Sequence, residues 1–302
     1  MGGDCSAVQD QLRDVQKIQA TNEAFAAILA DGSVVAWGHP ELGGDCSAVQ
    51  HQLRNVQQIQ AADEAFAAIL ANGSVVAWGH PEYGGHCSAL HDQLRDFQQI
   101  QATNEPFDAI LADGSVVAWG NPEFGGDCSA VHDQLRDVQQ IQATNEAFAA
   151  ILADASVVAW GYGDFGGDCS AVQDQLRNVQ QIQATHFAFA AILADGSVVA
   201  WGNPELGGDC SAVHDQLRNV QQIQATSEAF AAILLDGSVV AWGNPELGGD
   251  CSAVHDQLSD VQQIQATNEA FAAILADGLV VAWGNPEFGG DGSAVQDQLK
   301  YL

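Results

Sequence analysis

The feature that most constrains this chain is a 41-residue step that recurs from one end to the other. Trp37, Trp78, Trp119, Trp160, Trp201, Trp242 and Trp283 follow one another at that interval, and the cysteines from Cys5 to Cys251 keep it too. Residues 207 to 247 give one unit, GGDCSAVHDQLRNVQQIQATSEAFAAILLDGSVVAWGNPEL. A unit this short cannot bury its own apolar face, so successive units must stack. No linker or shift in composition interrupts the period. Residues 1–302 therefore read as a single domain of seven repeats, and segments 2–15 and 289–302 duplicate the same outer segment at the two ends.

Charge narrows the choice of partner. The chain has 39 acidic and 8 basic residues, a formal net charge of −31. Phosphate binding needs clustered Lys and Arg, so neither nucleic acid nor an anionic membrane is expected. The acidity does not signal disorder, because 47% of the residues are hydrophobic and recur with the period. It favours solubility, a basic protein partner or loosely held cations. Residues 1–20 lack a basic start and an apolar run, so no secretory leader is expected.

The cysteines occupy one position in successive units. Equivalent points on neighbouring units should lie beyond the ~7 Å Cα limit of a disulfide. Free thiols and a reducing, cytoplasmic location follow as expectations. Cys-x-x-x-His recurs at Cys87/His91, Cys128/His132, Cys210/His214 and Cys251/His255, a pattern open to zinc. Gln9, Gln50 and Gln173 take the histidine position elsewhere, which favours a small buried thiol beside a solvated polar residue. No cofactor is expected.

Apolar weight lies in VQQIQA, FAAILA and SVVAWG. Asp-Gly or Asn-Gly separates the last two in six units, for example Asp31-Gly32 and Asn72-Gly73, and predicts a hairpin with both turn residues at positive φ. The fourth unit has Asp154-Ala155, where a strained or differently shaped turn is expected. Val8, Leu12, Val15 and Ile18 are nevertheless spaced like a helix face, and EAFAAIL is rich in helix formers. Periodicity alone leaves an α/β solenoid open beside an all-β array.

The run AFAAILADGSVVAWGNPELGG resembles the repeat of the regulator of chromosome condensation family. In length, the unit is similar to the shorter repeats of seven-bladed β-lactamase inhibitory proteins. That resemblance implies an all-β fold, a seven-bladed β-propeller of four-stranded antiparallel blades, with strands in the first unit near 15–20, 25–30, 34–38 and 45–49. It also implies that one terminus completes the blade begun by the other, here the N-terminal copy, since Gly292 replaces the cysteine in the last. The family's glycine and histidine positions hold Thr21, Ala62 or Thr103 and Ala24, Ala65 or Pro106, so nucleotide exchange is not carried over.

In a propeller the loops near Thr21-Asn22-Glu23 and His39-Pro40-Glu41-Leu42 would share one end. That end would carry two sets of carboxylates: Glu23, Glu64, Glu105, Glu146, Glu228 and Glu269, and Glu41, Glu82, Glu123, Asp164, Glu205, Glu246 and Glu287. Arg13, Arg54, Arg95, Arg136, Arg177 and Arg218 would lie at the other. Gln19, Gln60 and their counterparts would line a channel. Duplication yields such sets automatically, so places where repeats disagree carry more information. These are Pro106 and Asp108, Tyr162-Gly163-Asp164, and His186-Phe187. Tyr162, Asp164, His186, Phe187, Glu146 and Glu205 are the candidate partner contacts, with the exposed aromatics as anchors.

No phosphate-binding glycine loop, nucleophile elbow or metalloprotease motif is present. The expected function is therefore a non-catalytic protein-interaction module. A structural or engineered repeat scaffold, and weak cation binding by the carboxylates, are the alternatives.

Overall fold

The computed structural model describes residues 4–87 and 97–292. Regular structure among them is β-strand and short 3-10 turns, so the all-β alternative holds and the helix–strand solenoid does not. The first repeat contributes β1 (Val15–Ala20), β2 (Ala24–Leu29) and β3 (Val34–Gly38). Strands β4 to β21 follow in the same order, ending with β19 (Val261–Ala266), β20 (Ala270–Leu275) and β21 (Val280–Gly284). Each trio is an antiparallel three-stranded sheet with its second strand in the middle.

The middle strand, Ala-Phe-Ala-Ala-Ile-Leu, is made of good helix formers and is extended all the same. Within the stack it is covered on both faces, and tertiary burial overrides a propensity difference of a few tenths of a kcal/mol per residue, roughly. Its phenylalanine lies directly opposite the tryptophan of the third strand. In the first sheet the Phe25 and Trp37 rings stack at 5.3 Å, tilted by 15°.

The Asp-Gly turn differs from its predicted form. Gly32 N–H donates to Leu29 O, and Leu29 N–H donates to Ser33 O, both at 2.9 Å. The loop is therefore three residues, Ala30-Asp31-Gly32, and only the glycine has positive φ, at 76°. This is the four-residue turn closed by a left-handed glycine, not the two-residue hairpin. Asp31 Oδ1 fixes it by accepting from both the Ser33 backbone, at 2.9 Å, and the Ser33 hydroxyl, at 2.6 Å. In the fourth repeat Ala155 adopts the same turn at φ 62° rather than a different one.

The expected fourth strand is also corrected. Residues 47–52 are a run of turns, with Gln52 N–H donating to Val49 O at 2.8 Å and Leu53 N–H donating to Val49 O at 3.2 Å. Cys46, Val49 and Leu53 face the core together. Their spacing of three and four residues suits a coil turning on one face, whereas a strand would alternate. The N-terminal copy curls likewise, with Val8 N–H on Cys5 O and Gln11 N–H on Val8 O, so it is not a closing strand. Most of the C-terminal copy lies outside the described residues.

The chain divides into two compact units, residues 1–148 with 160–162 and residues 149–159 with 163–302. Within each, one face of a sheet packs on the opposite face of the next. In the first unit Ala24, Ala26, Ile28 and Val34 meet Ile59, Phe66, Val76 and Trp78. In the second, Ala188, Ala190, Ile192 and Val198 meet Ile223, Phe230, Val240 and Trp242. The first sheet of one unit and the last sheet of the other each keep a face uncovered. Ile18 is 55% exposed where Ile59 is 2%, and Ile274 is 40% exposed where Ile28 is 6%.

Candidate functional site

The two loops expected to share one end do meet within a repeat. Thr21 anchors the first: its hydroxyl accepts from Ala24 N–H at 2.9 Å and donates to Leu42 O at 3.3 Å. His39 N–H then donates to Glu23 O at 3.0 Å, tying the loop after β3 to the loop after β1. Between repeats, Asn22 N–H donates to Asp63 O and Asp63 N–H to Asn104 O, so the same loops line up along the first unit. In the second unit His186 N–H donates to Ser227 O and Ser227 N–H to Asn268 O.

Asparagine organises both sets of carboxylates. Asn121 Oδ1 accepts from Glu123 N–H at 3.0 Å, capping the short 3-10 turn Pro122–Phe124. Its amide donates to Glu105 Oε2 at 2.7 Å. Asn244 and Asn285 hold Glu228 and Glu269 in the same way, each at 2.6 Å. The Asn-Pro-Glu triplet after Trp-Gly is the sequence sign of this double role. Crowding shows in the ionisation. Burial, then the neighbouring Glu105, raises Glu146. Burial raises Asp63, with the Asn22 side chain pulling it back and Glu64 pushing further. Tyr83 is raised by burial and then by Glu105, Glu64, Asp63 and Glu82.

The irregular repeats break this pattern locally. Tyr162 stands where Asn121 and Asn244 stand and so has no amide to offer Glu146, although its N–H donates to Glu146 O at 2.8 Å. Its ring is exposed and sits edge-on to Phe124 at 6.0 Å. Phe187 takes a glutamate's place and packs edge-on to Phe165 at 4.7 Å. The His186 ring lies 5.9 Å from Phe187. Burial lowers the His186 pKa, and Glu228 opposes the shift. Asp164 and Glu205 are exposed on their 3-10 turns.

Three arginines at the other end pair with local aspartates. Arg136–Asp133, Arg177–Asp174 and Arg218–Asp215 span 3.5, 3.4 and 3.4 Å with both partners exposed. Such pairs contribute about 0–1 kcal/mol. Arg95 and His91 fall outside the described residues. Gln19 and Gln58 border a cavity of about 310 Å³ with Lys17, Ala26, Ile28 and Ile59.

All seven cysteines are free thiols. Burial pushes up the thiols of Cys46, Cys87, Cys128, Cys169, Cys210 and Cys251, Cys128 to about 11, which suppresses thiolate chemistry. Cys46 and Cys169 donate to Gln50 and Gln173 Oε1 at 3.0 Å. No group of three His, Cys, Asp or Glu able to hold a metal occurs among the described residues.

No protein-family model and no curated protein sequence matches the chain. Solved structures do. One is Prp20p from Saccharomyces cerevisiae, a protein with binding properties towards Gsp1p and histones, at 17% identity and TM-score 0.43 over 80% of this chain and 75% of that one. Another is the structure of Kap60 bound to yeast RCC1 (Prp20), at 16% identity and TM-score 0.47 over 96% and 78%. A third is the computationally designed Ika8 protein, at 16% identity and TM-score 0.38 over 90% and 83%.

Proposed function

We propose that the chain is a non-catalytic protein-interaction module that presents the acidic loop ends of its repeats to a basic segment of another protein. The observation that supports this is the tethering of the carboxylates. Asn121, Asn244 and Asn285 each hold one glutamate by its side chain and the next acidic turn by its backbone. Carboxylates fixed in advance lose less side-chain entropy on binding. No Lys or Arg shares these loops. Glu146 and Glu205 would meet the basic groups, beside Asp164, while Tyr162, His186 and Phe187 would add apolar area. Buried high-pKa thiols suit a reducing cytoplasm.

The test is titration of the whole chain with a lysine- and arginine-rich peptide. Binding should weaken steeply as salt rises, because exposed charges are screened beyond about 10 Å at 0.1 M. Glu105→Gln combined with Glu146→Gln should weaken it at least severalfold. Binding indifferent to salt, or absent, would overturn the reading.

A further inference from the structure

Phe187 stands where the other six repeats carry glutamate. It follows the strand Val179–Ala184, in a loop held through both of its backbone groups. Its N–H donates to Thr185 Oγ1 at 3.1 Å, and its carbonyl accepts from Asn203 N–H at 2.9 Å. The Thr185 hydroxyl donates onward to Leu206 O at 3.3 Å. Two loops thus fix the backbone from which the ring projects. Opposite it, Phe165 ends the 3-10 turn Gly163–Phe165. Tyr83 and Phe124 precede Glu105 and Glu146 at the same spacing, so this is the one such pair in the sequence that is aromatic on both sides.

The Phe165 and Phe187 rings meet at 4.7 Å and 86°, and the His186 ring adds a third plane, 5.9 Å from Phe187 and tilted by 68°. All three side chains are half-buried, so part of each remains open to solvent. Ring planes at such angles bound a corner walled by π-faces, and a π-face attracts cations. Carboxylates surround the corner. Asp164 adjoins Phe165 in the chain, and Glu205 lies on the turn whose Asn203 holds Phe187. Glu228 bears on His186 from the next repeat. No Lys or Arg occurs in these loops. Burial keeps His186 below its usual pKa, so above about pH 7 the imidazole is neutral and does not repel a cation.

A bare ammonium suits carboxylates and sheds its water reluctantly. Methylation keeps the charge but weakens its hydration, and it adds methyl groups that pack against rings. The corner therefore favours the methylated form, while the carboxylates favour either form alike.

We propose that Phe165, His186 and Phe187 form a recess for a trimethyllysine side chain on the basic segment that the acidic loops bind. The inference rests on that reading of the loops and adds a chemical preference to it.

The experiment titrates the full chain with two lysine-rich peptides of one sequence that differ by a single trimethyllysine. The two carry the same charge, so the rings alone should separate them. Trimethylation should tighten binding by roughly two- to fivefold, the range of a solvent-accessible cation–π contact. Tetramethylammonium chloride should abolish the difference at an ionic strength where sodium chloride leaves it in place. Phe187→Glu restores the residue common to the other repeats and should bind both peptides alike. Phe187→Tyr should keep the preference. Equal binding of both peptides by the parent, still weakened by salt, overturns this proposal and leaves the acidic docking face standing. So does a preference that survives Phe187→Glu, since the rings would not be its source. Binding of neither peptide overturns the docking face and this proposal with it.

Discussion

Asp108 and Trp160 face each other across the stacked third and fourth repeats, and neither completes a hydrogen bond. Asp108 lies in β8 (Phe107–Leu111) with 0% exposure, at a position that is alanine in the other six repeats. Both its carboxylate oxygens and the Trp160 indole nitrogen are buried without a partner. Five equivalent tryptophans donate to a glycine carbonyl instead. Burial holds the Asp108 pKa well above the usual carboxylate range, eased only slightly by the approaching indole. Asp108→Ala should stabilise the chain by about 1–3 kcal/mol, the cost of an unsatisfied buried polar group. Urea unfolding checks this.

The same carboxyl should leave a mark on pH dependence. Its folded pKa is raised, so below an unfolded value of about 3.9 the acid is neutral in both states and carries no ionisation penalty. As pH rises towards the folded pKa the unfolded chain ionises first, and stability is lost at about 1.4 kcal/mol per pH unit. The parent should therefore lose ground to Asp108→Asn at that rate as pH rises from about 4 towards the folded pKa. Parallel unfolding curves for the two proteins across this range would contradict the assignment.

These two residues also show what the sequence did and did not make legible. The 41-residue step and the Asp-Gly-Ser turn chemistry carried the array and its strands. The helix-like spacing of Cys46, Val49 and Leu53 was visible as well, and its meaning was a coil rather than a fourth strand. Asp108 stood out as a departure from alanine. That it meets Trp160 was not readable, because the contact joins residues 52 positions apart through stacking that no single repeat encodes. Likewise the six carboxylates were countable, but the asparagine that holds Glu105, Glu228 and Glu269 is a relation between two loops.

Ala155 occupies the turn position that is glycine elsewhere, at φ 62°. On an L-residue this left-handed backbone costs about 1–2 kcal/mol. Its methyl also points where a Cβ on Gly196 would come within 2.8 Å of the Asn219 backbone. Ala155→Gly should raise stability by about 1 kcal/mol, less than the strain relieved because glycine loses more entropy on folding. A melting temperature that falls on this change would show the turn to be relaxed.

His186 is depressed by burial and supported by the Glu228 carboxylate, which favours the charged imidazole. Glu228→Gln should lower its pKa further, read directly from imidazole proton shifts in an NMR titration. Because the folded ring resists protonation, stability should fall as pH drops below the unfolded histidine value of about 6.5. His186→Asn should flatten that decline. An upward shift in Glu228→Gln would mean that the carboxylate does not act on this ring.

Gly207 and Gly289 share a backbone, with φ 107° and 106°, and differ only in what lies beyond it. A Cβ on Gly207 would fall 2.7 Å from the Phe230 ring, whereas one on Gly289 would meet nothing among the described residues. Gly289→Ala therefore pays only for the left-handed backbone, about 1–2 kcal/mol. Gly207→Ala adds the displacement of a packed ring, typically a further 1–3 kcal/mol, roughly. The difference between the two unfolding free energies isolates the packing of phenylalanine on glycine. Equal losses would mean that backbone strain alone keeps glycine at this position.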